Sequence, residues 1–262
     1  MNYGLYVSAS GVLTNLYRQD VFANNLANAR TVAFKPDLPA IRQRDPESLE
    51  GAHPHALRHP FLDELSGGVF AGRQAIAFSP GAPRPTGNPL DVALTGSNAF
   101  LPVRATDPDT GKQTTMLTRD GRLQLNDRRE LILAGSGHLV LGEGDQPITV
   151  ANPGRLAIDP RGQLTNNGEV VGRLQVVGVN DLERLIKQGR GLYAVTGAGE
   201  WRTAPDVADL RPGQVEDSAV DPIQALMELM DATRAVSSNG NLIKYHDQLT
   251  DRAVNVLGRV SA

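Results

Sequence analysis

The feature that most constrains this chain is a pair of long heptad-patterned segments, one at each end. In the first, residues 1–35, mostly apolar positions recur in a 4-3-4-3 rhythm, the spacing of a seam along which two helices pack. The members of this seam are Leu5, Ala9, Val12, Leu16, Gln19, Ala23 and Leu26. The pattern predicts an N-terminal helix that needs at least one helical neighbour.

The last segment, residues 217–262, mirrors the first. Asp221 and Pro222 predict a helix start, because Asp caps free N–H groups and Pro suits the first turn. The seam that follows consists of Leu229, Ala232, Val236, Asn239, Ile243, His246, Thr250, Ala253 and Leu257, widened by Leu242, Leu249 and Val256. We expect the two terminal helices to pair with each other, antiparallel or staggered.

Two residues of the second helix leave alternatives open. Gly240 costs about 1 kcal/mol relative to Ala in a helix interior, so the pattern allows a kink or break near residues 237–240. Asn239 on the seam fits either a satisfied buried amide or a residue that sets the helical register. We favour the second interpretation.

Residues 36–67 form a connector in which repeated prolines break any long helix. His53, His55 and His59 have an H-x-H-x3-H spacing that is compatible with Zn²⁺. A solvated loop is the favoured interpretation, because no carboxylate or further ligand is clustered tightly around them. The sequence therefore predicts no metal site here.

Residues 68–216 change to a period of two. Short apolar stretches alternate with strong turn signals, for example at residues 159–162 and 166–168, at the spacing typical of an all-β domain. The fold class predicted for the whole chain is therefore α+β. Its mainly-β central domain is a short-stranded sandwich or open barrel, and its long N- and C-terminal helices pair as a coiled-coil-like domain.

Two local predictions concern this β region. Residues 181–188 are expected to form one or two helical turns. Residues 118–121 are expected to form a hairpin corner, since Asp120-Gly121 is a tight-turn signal. Arg119 and Asp120 are expected to pair across that corner.

Composition excludes several classes of protein. A net charge of −3 and a pI of about 6.0 give no electrostatic case for binding nucleic acid. The chain has no Cys, which excludes disulfides and thiolate metal sites. No apolar run reaches about 18 residues, so neither a transmembrane helix nor stable membrane insertion is predicted. The N-terminus lacks the pattern of a cleaved signal peptide.

Enzymatic motifs are absent as well. Gly111-Lys112 lacks the glycine and hydroxyl residues of a phosphate-binding loop, and Gly142-x-Gly144 lacks the third Gly of a dinucleotide fingerprint. No G-x-S-x-G or H-E-x-x-H sequence occurs. We therefore predict no enzyme and no cofactor. The best alternative of another class is a carbohydrate-binding β-module, which would need exposed aromatic side chains and finds few candidates: Phe100, Tyr193 and Trp201.

The N-terminal motif is more specific than its periodicity. Residues 23–29 read ANNLANA, and Thr31 and Phe34-Lys35 follow. This closely resembles the signature ANNLANxxTxGFK of the bacterial flagellar rod and hook proteins. Arg30, Val32 and Ala33 stand where Asn, Thr and Gly are common in that family, and the change at Ala33 weakens the case for a tight turn there.

The resemblance continues along the chain in the order of that family. Residues 86–94 and 118–121, together with Gly96, Phe100 and residues 137–141, resemble its TGNPLDxAI, YTRDG, GxGFF and GYPVL segments. Near the C-terminus, Val215-Glu216, Ser218, Val220, Met230, Arg234-Ala235 and Asn239 resemble LExSNV and QRAYxAN, with Val236 at the usual Tyr.

The resemblance implies a structural subunit of the flagellar rod, the axial structure of the basal body that spans the periplasm. Such a subunit self-assembles helically through its terminal helices and contributes to torque transmission. Its partners would be copies of itself, other rod and hook proteins, and the flagellar export apparatus, which would export it without cleavage. The proximal-rod type is favoured over the distal-rod type, and a hook or hook-junction protein is the alternative.

The residues expected to carry this function lie on the terminal seams. Apolar members should be buried in the assembly, because isolated helices are marginal and must bury their seams against neighbours. The Asn side chains should form amide hydrogen bonds between subunits. The predicted assembly interface comprises Leu5, Val12, Leu16, Ala23, Asn24, Asn25, Leu26, Asn28, Leu229, Val236, Asn239, Ile243, Leu249 and Leu257.

Overall fold

The computed structural model describes residues 3–45, 67–106, 111–152, 154–197, 202–203 and 210–257. Within them the chain forms two compact units. The helical unit combines Met1–Ala27, Asp37–Ala75 and Asp221–Ala262, whereas the β unit combines Asn28–Pro36 and Ile76–Val220. The predicted α+β class is confirmed, with two long helices and a mainly-β central region.

The long helices are α1 (Tyr3–Ala27) and α2 (Pro222–Leu257). Strands of the helical unit are β1 (Asp37–Leu38), β2 (Ile41–Gln43) and β3 (Val69–Ala71), and β4 (Ala75–Ile76) lies at the boundary between units. The β unit contains β5 (Pro83–Pro85), β6 (Val92–Leu94), β7 (Ala99–Thr106), β8 (Gln113–Thr118), β9 (Leu123–Leu125), β10 (Leu131–Leu133), β11 (Leu139–Val140), β12 (Leu156–Ile158), β13 (Gln163–Asn166), β14 (Glu169–Arg173), β15 (Val177–Val179), β16 (Leu185–Gly189), β17 (Leu192–Val195), β18 (Arg202–Thr203), β19 (Leu210–Pro212) and β20 (Gln214–Glu216).

The two helices of the helical unit run antiparallel and approach closely. A Cβ atom built on Gly4 would lie 2.7 Å from the His246 imidazole, and one on Gly11 would lie 3.0 Å from Asn239 Oδ1. From the first contact to the second, the position advances by seven residues on α1 and goes back by seven residues on α2, as expected for antiparallel helices. Seven residues before Asn239 comes Ala232, which is fully buried. Small residues on this stripe therefore allow the close approach of the helices.

Helix α2 is continuous through Gly240, so the structure shows no break near residues 237–240. Asp221 Oδ1 accepts hydrogen bonds from the backbone N–H groups of Ile223 and Gln224, as expected of an N-cap. Asn239 Nδ2 donates to the Ala235 carbonyl at 3.0 Å. The side-chain amide of this seam residue thus has a partner on its own helix.

A two-stranded antiparallel sheet packs on α1 within the helical unit. Strands β2 and β3 pair antiparallel, with Ile41 opposite Ala71. Ser10 Oγ accepts a hydrogen bond from the backbone N–H of Val69, and the Tyr17 hydroxyl donates to the Gly72 carbonyl. Helix α1 is therefore contacted on two sides. His53, His55 and His59 lie outside the described residues.

The β unit is built on an antiparallel sheet with the strand order β16-β17-β8-β7-β11-β10-β9, to which β15 and β18 add beside β7. A three-stranded sheet, β12-β13-β14, and two strand pairs, β19-β6 and β20-β5, complete it. The main core includes Leu101, Val103, Leu131, Leu133 and Leu164. A second core centres on Phe78, Phe100 and Tyr193, whose rings contact one another at 5.5 to 5.8 Å.

The helical prediction for residues 181–188 is correct only for the first part of that range. Only Leu182–Arg184 forms a single 3₁₀ turn, and Leu185–Gly189 is strand β16. Leu185 is buried and pairs with Val195 of β17. Cross-strand pairing and burial thus override the local pattern. None of the described helices combines the length and the apolarity that a membrane span needs.

Candidate functional site

Exposed large apolar side chains are concentrated in the helical unit. Among the described residues, Val170 and Ile186 are the only exposed large apolar side chains that lie outside the helical unit. On α1 they are Tyr3, Leu5, Tyr6, Leu13 and Leu16, and on α2 they are Ile223, Leu226, Met227, Met230, Leu242, Tyr245, Leu249 and Val254. Exposed apolar surface concentrated in this way marks a site of interaction with another molecule.

Several residues of the predicted α1 seam belong to this exposed surface and are not buried against α2. Leu5 and Leu16 are 40% and 41% exposed, and Ala23 is also exposed, while Val12 and Leu26 are half-buried. Gly4 and Gly11, one position before Leu5 and Val12, lie against His246 and Asn239 of α2. One residue corresponds to a rotation of about 100° around a helix, so Leu5 and Val12 lie to the side of the contacts that Gly4 and Gly11 make with α2.

The predicted residues of α2 divide between the two environments. Leu229, Val236, Asn239 and Ile243 are half-buried, whereas Leu249 is 61% exposed. The side chain of Leu257 lies outside the described part of the structure, although its backbone ends the helix.

Sequence reasoning missed part of this surface. Ile223, Met227 and Met230 are 72%, 60% and 46% exposed at the start of α2. Their 4-3 spacing was a signal for a second apolar stripe beside the seam. Tyr6 and Leu13, seven residues apart on α1, carried the same signal.

The asparagines of the N-terminal motif differ in their surroundings. Asn25 is buried, its Nδ2 donates to the Asp37 carbonyl at 2.8 Å, and its Oδ1 accepts from the Asp37 N–H at 2.9 Å. Its side-chain amide therefore both donates and accepts within the single chain. Asn28 Oδ1 accepts from the Thr31 hydroxyl, and Asn24 is exposed.

Three charged residues of the recognisable motifs meet in the interior of the β unit. Glu216 forms ion pairs with Lys35 through Oε1 and with Arg119 through Oε2, the latter at 2.9 Å. The three side chains are at most 2% exposed. Burial lowers the pKa of Lys35 below its ordinary value, and the Glu216 carboxylate opposes that shift.

The predicted pairing of Arg119 with Asp120 is wrong. Asp120 instead accepts two hydrogen bonds from the Arg122 guanidinium, at 2.7 and 2.9 Å. Arg119 turns inward because Glu216 and the backbone carbonyls of Gly96 and Ala99 satisfy its donors there. Its chief partner lies 97 residues away in sequence, beyond the reach of any local pattern.

Two observations bear on other classes of site. Phe100 and Tyr193 are 0% and 2% exposed, so they do not form the aromatic surface that a carbohydrate-binding module needs, and Trp201 lies outside the described residues. Among the residues that the structure describes, no group of three His, Cys, Asp or Glu side chains is placed to hold a metal ion.

Comparison with known proteins matches both ends of the chain to flagellar families. Residues 5–35 match the family described as "Flagella basal body rod protein". Residues 211–256 match the family described as "Flagellar basal body rod FlgEFG protein C-terminal". These two segments contain Lys35 and Glu216, the two ends of the buried ion pair.

Relatives align over nearly the whole chain. The flagellar basal-body rod protein FlgF of Caulobacter vibrioides is 29% identical, with 100% of both chains covered. The flagellar hook-basal body complex protein FlhO of Bacillus subtilis is 27% identical over 98% of this chain and 99% of its own. The rod protein FlgG of Caulobacter vibrioides is 26% identical over 94% and 95%. This chain is thus similar over its full length to flagellar basal-body rod proteins of the FlgF and FlgG types, and its two ends match flagellar rod family models.

Proposed function

We propose that this chain is a structural subunit of the flagellar rod that assembles helically through the outward apolar faces of α1 and α2. The observation that carries the proposal is the location of the exposed large apolar side chains, nearly all of which belong to the helical unit. A surface of this kind is favourable only when a neighbouring subunit covers it. The neighbours would be copies of the chain and other rod or hook proteins.

The two helices themselves are proposed to pair as a coiled-coil-like element within each subunit. Support comes from the heptad step shared by the contacts Gly4–His246 and Gly11–Asn239. With their inner faces occupied by each other, Leu16, Met227 and Leu249 remain for contacts between subunits. Such contacts would let the assembled rod transmit torque.

We further propose that the subunit is of the proximal-rod FlgF type and reaches the basal body through the flagellar export apparatus. The segment Ser79-Pro80-Gly81 before Thr86, and the slightly higher identity to FlgF than to FlgG of the same bacterium, support the first point. A cryo-EM map of isolated basal bodies should show the chain in the proximal rod. Density in the hook or the distal rod would overturn this assignment.

The assembly proposal is tested by two substitutions at positions of equal exposure. Leu249 on α2 and Val170 on β14 are both 61% exposed. We expect Leu249→Ser and Val170→Ser each to change the free energy of unfolding by no more than about 0.5 kcal/mol, because both are surface positions. Only Leu249→Ser should reduce incorporation into rods and motility, by more than tenfold.

The measurements are the amount of each variant in purified basal bodies and the swimming of a strain that carries it as the sole copy. Thermal unfolding of the purified variants provides the control for folding. Normal incorporation of Leu249→Ser, or equal loss for Val170→Ser, would contradict the proposed surface.

A further inference from the structure

The N-terminal motif continues beyond α1 into a segment that belongs to the β unit. Residues 28–36, here called the strap, are held there by backbone hydrogen bonds to two distant parts of the chain. The Ala33 N–H donates to the Glu216 carbonyl at 2.7 Å, and the Phe34 carbonyl accepts from the Ala219 N–H at 3.0 Å. The Pro36 carbonyl accepts from the Ala77 N–H at 2.9 Å. The strap is therefore an integral part of this unit.

Side-chain contacts also hold the strap in the β unit. Lys35 Nζ bonds to Glu216 and donates to the Ser79 carbonyl at 2.7 Å, while Lys187 Nζ donates to the Lys35 carbonyl at 2.6 Å. The Lys187 ammonium also lies 4.2 Å from the centre of the Phe34 ring. Val32 and Ala33 form a small buried cluster with Val215.

Withdrawal of the strap would leave buried groups of the β unit without some of their partners. Glu216 would keep Arg119 and the Gly81 N–H but lose Lys35, and Val215 would lose its apolar neighbours. Breaking one partner out of a buried ion network is destabilising. Here Glu216 Oε1 would lose its charged donor and keep the weaker hydrogen bond from the Gly81 N–H. The strand β20, which carries both Val215 and Glu216, is therefore the element that depends on the strap.

We propose that Lys35, Glu216 and Arg119 form a lock that makes stable folding of the β unit conditional on docking of the strap. The three residues come from the N-terminal, C-terminal and central motifs, so the lock closes only when all three parts of the chain are present. A partner that holds residues 1–35 extended withholds Lys35 and keeps the β unit open. In the export route proposed above, this device keeps the chain unfolded until its N-terminus is released.

The lock is tested on the full-length chain with Lys35→Met, which keeps the length of the side chain but removes its charge. The matched control is Asp217→Asn, which removes the neighbouring exposed ion pair of Asp217 with Arg84, whose side chains are 42% and 53% exposed. We expect Lys35→Met to lower the melting temperature of the β unit by roughly 10 °C and Asp217→Asn by less than about 2 °C. A shift for Lys35→Met as small as that of the control would overturn the lock.

A second measurement uses the unchanged protein and stands even if Lys35→Met does not fold. Native-state hydrogen exchange is followed at the amides of Ala33 in the strap, Thr86 in the loop after β5, and Ala219 after β20, all of which are hydrogen-bonded. The lock requires these amides to open together with one opening free energy. Opening of the strap amide while the others stay protected would refute it. Both measurements use the isolated chain, so they fail or succeed independently of Leu249→Ser and rod incorporation.

Discussion

Residues of one short motif perform different tasks in this molecule. Asn25 closes the chain reversal after α1 by bonding both backbone groups of Asp37, and Lys35 neutralises a buried carboxylate of the β unit. Neither side chain is left on the surface. The residues that make the motif recognisable thus serve the internal structure. We assign contacts between subunits to less distinctive apolar residues such as Leu16 and Leu249.

Ala33 provides a prediction at this scale. Its φ of 55° lies in the left-handed region, where an L-residue with a Cβ is strained. The tight turn is therefore formed despite the Ala, against the expectation from sequence. We expect Ala33→Gly to change the free energy of unfolding by less than about 0.5 kcal/mol, because relief of strain offsets both the added entropy of Gly in the unfolded chain and the loss of a buried methyl group.

Chemical denaturation of the purified chain measures this effect. The matched control is Ala219→Gly, since Ala219 is hydrogen-bonded to the same strap but does not have a positive φ. Ala219→Gly should lower the free energy of unfolding by up to about 1 kcal/mol. If both substitutions destabilise the chain equally, the strain at Ala33 is refuted.

The helices show how far the sequence predicts an element and its contacts. Heptad spacing predicted both helices, and Asp221-Pro222 predicted the start of α2. Spacing did not identify which edge of α1 faces α2, because Gly4 and Gly11 contribute no hydrophobic signal yet make the closest approach. The strand pair β2–β3 also packs on α1, so apolar residues on several faces of this helix produce overlapping patterns.

Contacts between distant residues mark the other limit of sequence reasoning. Strand β9 followed from alternation, and β10 from a short apolar run beside a turn signal, since both are local properties. The pairing of Lys35 with Glu216 joins residues 181 apart in sequence. No local periodicity encodes that pairing, and only the motif resemblance had singled out both residues.

Gly240 gives the prediction for an element. A Cβ atom built there meets nothing within 4 Å, and α2 passes through it without interruption. Gly240→Ala should therefore raise the stability of the helical unit by about 1 kcal/mol, the difference in helix propensity. The melting curve of the helical circular-dichroism signal at high protein concentration measures it.

Gly11→Ala serves as the counterpart to that change. Its Cβ would lie 3.0 Å from Asn239 Oδ1, so the gain in helix propensity is opposed by a close contact between the helices. We expect this variant to melt earlier than Gly240→Ala. A Gly240→Ala variant that melts at or below the unchanged protein would show that the open space around this residue is needed.

Buried apolar residues are distributed unequally between the helical unit and the β unit. In the described part of the helical unit, the buried apolar residues are Val21, Phe22, Ala225 and Ala232. The described part of the β unit has two large buried clusters, which include most of the large apolar residues of its strands, and the small cluster around Val215. Because buried apolar area is the main source of stability, the isolated chain should lose its helical unit first. In the rod, neighbouring subunits would supply the missing burial.

Thermal unfolding of the isolated chain tests this final prediction. Far-ultraviolet circular dichroism at 222 nm follows the helices, and the near-ultraviolet signal includes Tyr193, which is buried against Phe78 and Phe100 in the β unit. We expect the midpoint of the helical signal to lie at least about 10 °C below that of the near-ultraviolet signal, because the core of the helical unit is small. Leu16→Ala should leave both transitions nearly unchanged, because Leu16 is 41% exposed in the single chain. Coincident transitions at every protein concentration would show that the helices share one cooperative core with the β unit, and the assembly proposal would lose its physical basis.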